Sequence, residues 1–72
     1  MTTYRRKKWL HEGSYVAEVE VDLVESDEAW GPYLTPQDAR KLDDIRKALQ
    51  REDIVSARKL ARVYRLIRVS AA

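Results

Sequence analysis

An α+β domain, with an antiparallel β-hairpin packed on an αα-hairpin, follows from three features of this 72-residue chain. Residues 15–24, Tyr-Val-Ala-Glu-Val-Glu-Val-Asp-Leu-Val, alternate apolar and acidic side chains. Gly13 separates that run from an earlier strand-like stretch, and the period changes from two to helical after Thr35-Pro36. A period of two places Tyr15, Ala17, Val19, Val21 and Leu23 on one face and Glu18, Glu20 and Asp22 on the other. The sheet therefore has one dry face, and the helical C-terminal half is the material available to cover it.

The first strand is expected over residues 4–10, with His11-Glu12-Gly13-Ser14 as the turn and Gly13 free to adopt a positive φ. The second strand is expected over about 15–25. Two registers suit this hairpin: one pairs Lys7 with Glu18 and Arg5 with Glu20, the other Lys8 with Glu18 and Arg6 with Glu20. In both, the basic block Arg5-Arg6-Lys7-Lys8 lies across from the acidic row, and opposite charges across strands stabilise a pair by about 0.2–1 kcal/mol.

Residues 26–34 form the long connection. Gly31-Pro32 signals a turn, and Trp30, Tyr33 and Leu34 are too apolar for a solvated linker. They read either as a lid over the end of the core or as an aromatic anchor for a protein partner.

Helix one begins at Thr35, an N-cap followed by Pro36 at the first helical position and Asp38 where a capping-box acid belongs. Ala39, Leu42, Ile45 and Leu49 then recur at spacings of three and four and give an apolar stripe. Asp43 with Lys47, and Arg40 with Asp44, are surface pairs. Asp53 is a second N-cap, and helix two carries Ile54, Ala57, Leu60 and Ala61 inward to about Val63. The last segment, Val63 to Val69, reads either as a third strand or as a continuation of helix two.

Composition bounds the function classes. So short a chain makes one domain, residues 1–72, and buries barely enough apolar surface to offset its ordering entropy. It has no cysteine, so neither disulfides nor structural zinc supply the missing stability, and a homodimer or hetero-complex is the expected remedy. No apolar run approaches a membrane span and no secretory h-region follows the basic N-terminus, so a cytoplasmic protein without membrane contact is expected. His11 is the only histidine, and Gly13 and Gly31 are the only glycines, which leaves no nucleophile–base pair and no phosphate loop. The expectation is a protein that is not an enzyme, with no catalytic residues, no metal ligands and no cofactor.

Net charge is +2, from 14 Lys and Arg against 12 Asp and Glu, but the signs are segregated. Acidic residues fill 12–28, and from Ile54 onward Arg58, Lys59, Arg62, Arg65 and Arg68 occur with no acid. Candidate partner-binding residues are Glu18, Glu20 and Asp22 on the acidic strand, with Trp30, Tyr33 and Leu34 in the connection. Arg51, Arg58, Arg62 and Arg65 have spacings of seven, four and three. In a helix they would share a face able to neutralise phosphates, which makes them the candidate nucleic-acid contacts.

The stretches Tyr15–Leu23, Trp30-Gly-Pro-Tyr-Leu34, Asp38–Leu49 and Leu60-Ala-Arg-Val63 resemble a group of short bacterial open reading frames, with similarity from His11 to about Val69. That group resembles the small antitoxin-like partners encoded beside toxin genes. The resemblance implies a protein that binds a cognate toxin, for instance a ribonuclease, and blocks it by stoichiometric occlusion, with operator DNA as a second partner. The alternative is a stand-alone nucleic-acid-binding module that uses the basic C-terminal face. Similar sequences carry Gly where this chain has Glu52, which implies a tighter or more helical turn between the helices here.

Overall fold

The alternating run forms the central strand of an antiparallel sheet, described here from a computed structural model that covers residues 2–25 and 31–70. Strand β1 (Thr2–Glu12) and β2 (Tyr15–Glu25) make a long hairpin. A two-residue strand, β3 (Tyr33–Leu34), precedes helix α1 (Pro36–Gln50), and helix α2 (Ile54–Leu60) leads directly into β4 (Arg62–Arg65). The α+β architecture is the one expected, with two strands added to the hairpin.

The hairpin register differs from both expected ones. Glu12 pairs with Tyr15, so that Trp9 faces Glu18, Lys7 faces Glu20 and Arg5 faces Asp22. The loop is Gly13-Ser14 alone, with Gly13 at φ +58° and no positive φ at Ser14, the pattern of a type II′ turn. Strand pairing thus runs two residues nearer the turn than a four-residue loop allows. A shift of two from the first expected register preserves the faces, so Arg5 and Lys7 still meet the acidic row, whereas the second register is off by one and Arg6 and Lys8 fall opposite Val21 and Val19. Arg5 contacts both Glu20 and Asp22 at 3.4 Å, and Lys7 reaches diagonally to Glu18 at 3.4 Å.

The dry face is the expected one. Ala17, Val19 and Val21 are buried with Leu10 against Leu42, Ile45, Ala48 and Leu49 of α1 and Ala57 of α2. Val19 and Ile45 are fully buried, each contributing about 1.5–3 kcal/mol by removal from water. Ala39, expected in the stripe, is exposed, and the buried row starts at Leu42. Leu60 is also exposed, because α2 ends there and Ala61 is already extended.

The segment left open between strand and helix is a strand at 62–65. Its antiparallel pairing places Arg62 beside Glu18, Val63 beside Ala17 and Tyr64 beside Val16. A β-branched and aromatic run, set against the exposed half of β2, gains ladder hydrogen bonds and cross-strand packing that a further helical turn would forgo.

Both helix starts behave as expected. Thr35 Oγ1 accepts from Asp38 N–H at 3.2 Å, and Asp53 Oδ1 accepts from Ser56 N–H at 3.2 Å. Between the helices, Glu52 N–H donates to Leu49 O and Asp53 N–H to Ala48 O. These are the two bonds of a Schellman motif with Arg51 as C-cap. Such a motif needs a left-handed residue at Glu52, and its φ is +57°. Glu52 thus adopts the glycine conformation, and the expectation of a tighter or more helical turn is corrected.

Candidate functional site

Alternation along the strands assigns the outer face, the one turned from the helices. Register puts Arg5, Lys7, Trp9 and His11 of β1 there, with Val16, Glu18, Glu20 and Asp22 of β2, Tyr33 of β3, and Arg62 and Tyr64 of β4. Both helices pack on the opposite face. Trp9 and Tyr64 stand on the two strands flanking β2 and lean toward each other across it. Their ring centroids are 6.2 Å apart with planes tilted by 39°, a separation typical of interacting aromatic pairs. They remain 57% and 43% exposed.

Of the expected partner-binding residues, Glu18, Glu20, Asp22 and Tyr33 share this face. Leu34 does not: it lies on the inner side, packed against the core. Trp30 and the segment 26–30 lie outside the described residues, so Tyr33 and Leu34 alone represent the expected aromatic loop. As a two-residue strand they pair with Val24 and Leu23.

Expected nucleic-acid contacts are spread apart. Arg51 caps α1, Arg58 is on α2, and Arg62 and Arg65 sit on β4, where a spacing of three puts them on opposite faces. The shared helical face they were expected to form is absent because the helix ends at Leu60. Arg58 and Arg62 instead line an open notch of about 640 Å³ together with Lys41, Glu18 and Glu20.

That notch marks a break in the sheet edge. Strands β3 and β4 both pair with the same edge of β2, one near Leu23 and the other near Ala17, and leave residues 19–22 without a strand. Helix α1 fills the break with side chains. Asp22 N–H donates to Asp38 Oδ2 at 2.6 Å, and Lys41 Nζ donates to Glu20 O at 2.9 Å. Asp38 and Lys41 are one helical turn apart, a rise of about 5 Å, which approaches the roughly 7 Å between alternate strand residues.

Charges on the outer face are interleaved. The Arg5 guanidinium is held above its ordinary pKa by Asp22 first and Glu20 second. Arg62 is pushed up by Tyr64 and then by Glu18. Three cations and three carboxylates therefore share the face of the aromatic pair, with neither sign in excess among them. His11 is exposed, its Nε2 2.9 Å from Gly13 O, and no group of acids, His or Cys suited to a metal ion occurs among the described residues. No described helix is long and apolar enough to cross a membrane.

Trp9 and Tyr64 were missed as site residues in the sequence. Trp9 carried a signal, since it shares parity with Arg5 and Lys7 on the side away from the core. Tyr64 carried none until residues 62–65 were known to be a strand. Comparison with family models, curated proteins and solved structures found no match to this chain.

Proposed function

We propose that this chain is an antitoxin-like protein that binds a cognate toxin through the outer face of its sheet and neutralises it by stoichiometric occlusion. The observation that carries this reading is the Trp9–Tyr64 pair, half exposed on a face that neither helix covers. Trp and Tyr dominate binding anchors because they remove large apolar area from water while keeping a polar edge for the rim. Around them, Arg5, Lys7 and Arg62 alternate with Glu18, Glu20 and Asp22, a rim that selects a partner by charge order.

The same interleaving weighs against nucleic acid. Phosphate binding draws its strength from released counterions at an uncompensated cationic surface; on the outer face each cation has a carboxylate neighbour, and Arg58 and Arg65 lie on different elements rather than on one shared strip. The reading involves occupancy without turnover, so it assigns no catalytic residue.

Co-expression with the product of the adjacent gene tests it. The expected result is a neighbour toxic alone, growth restored by this chain, and co-purification in a fixed ratio. A harmless neighbour that forms no complex would contradict the proposal.

A further inference from the structure

Backbone hydrogen bonding determines which groups the outer edge of β4 leaves open. Leu66 N–H donates to Ser14 O at 2.7 Å, continuing the β2–β4 ladder one step past the strand. In an antiparallel ladder only alternate residues direct N–H and C=O at a given neighbour. Leu66 therefore sets the phase: Arg62, Tyr64 and Leu66 face β2, while Val63, Arg65 and Ile67 direct theirs away from the sheet. Among the described residues no strand lies beyond β4.

This edge is apolar and cationic together. Leu66, Ile67 and Val69 are 48%, 82% and 90% exposed. Arg62, Arg65 and Arg68 punctuate them, and no acid occurs after Asp53. Strand β4 is four residues long and the exposed apolar residues continue past it; an open strand edge can template pairing, and inserted cations oppose any partner that does not bring carboxylates. We propose that residues 63–67 take up an extended strand of a partner protein that alternates carboxylates with aliphatic side chains, adding it to the sheet beside β4.

Charge argues for that occupant over a second copy. Antiparallel self-pairing centred on Arg65 would set Arg65 beside its own counterpart and Arg62 beside Arg68, which is unfavourable across strands. An acidic–aliphatic strand meets the main chain of Val63 and Arg65, with its carboxylates on the face that carries Arg62 and Arg68 and its aliphatic side chains on the face that carries Val63 and Ile67. The open main-chain edge differs from the outer face, with which it shares only Arg62, and its occupancy does not depend on a toxin being neutralised.

A labelled synthetic peptide alternating glutamate with valine, titrated into the full chain and followed by fluorescence anisotropy, tests this. Arg65→Pro removes an outward N–H and leaves the bonds to β2 in place, a position that proline tolerates. Wild type should bind saturably, Trp9→Ala should bind equally, and Arg65→Pro should weaken binding at least about tenfold with an unchanged circular dichroism spectrum. The double variant Arg62→Glu/Arg68→Glu, whose two side chains share one face and which leaves the main chain untouched, should reject the glutamate peptide and accept one alternating lysine with valine. Absence of saturable binding by wild type would overturn the proposal. So would binding that survives both Arg65→Pro and the charge reversal. A concentration-dependent dimer lost in Arg65→Pro would place a second copy on the edge and overturn the acidic partner.

Discussion

The Asp38 carboxylate accepts the main-chain N–H of Asp22 at 2.6 Å, so a side chain from the first turn of α1 occupies the place of a missing strand on β2. Lys41 does the same for the Glu20 carbonyl at 2.9 Å. Together they tie the start of the helix to the middle of the sheet, in the interval that neither β3 nor β4 reaches. A residue expected as a local cap thus holds two elements together.

Asp38→Ala should destabilise the fold by about 1–3 kcal/mol, since a part-buried N–H loses its acceptor. Asp38→Asn, which keeps an acceptor oxygen, should recover most of that loss. Urea unfolding of both variants checks the contrast, and equal destabilisation by the two would refute the role of the acceptor.

Glu52→Gly should stabilise the protein by about 0.5–1 kcal/mol. Glu52 is held at φ +57°, where a Cβ is unfavourable, and relief of that strain exceeds the entropy that glycine adds to the unfolded chain. A rise in the urea midpoint with an unchanged slope is the expected outcome; a fall would show that the Glu52 side chain contributes more than its backbone costs.

Acidification should weaken the start of α2. Asp53 has a lowered pKa, first from its hydrogen bonds with Ser56 and then from Arg51. A carboxylate depressed in the folded state contributes stability that is full above its unfolded pKa and lost as pH falls through the lowered folded value. The stability gap between wild type and Asp53→Asn should therefore favour wild type at neutrality and shrink in the acid range. A gap independent of pH would rule out this linkage.

The faces of β2 were legible in the sequence because its own alternation puts Val19 and Val21 inside whatever the hairpin register, whereas the faces of β1 were not, since the two expected registers differ by one residue. Helix starts were legible because Thr35-Pro36 and Asp53 satisfy local rules with local atoms. The register itself was not, since Gly13-Ser14 and His11–Ser14 are both acceptable turns. Tyr33-Leu34 is too short to show a period. Residues 62–65 carry a β-branched and aromatic run that suits a strand, but pairing with the distant Tyr15–Glu18 decided it against a further helical turn. The candidate site suffered most from this. The Trp9–Tyr64 pair depends on both the register and β4, and the arginine strip dissolved when helix two ended at Leu60.

The most direct measurement is the affinity of the purified complex with the co-purifying neighbour, compared between wild type and Trp9→Ala/Tyr64→Ala. Neither side chain belongs to the buried core, so the double variant should stay folded at the assay temperature with a lowered unfolding midpoint from loss of the ring contact. A loss of at least about 30-fold is the expected result, as for removal of central aromatic anchors. Unchanged affinity in a folded double variant would contradict the assignment of the outer sheet face as the binding surface.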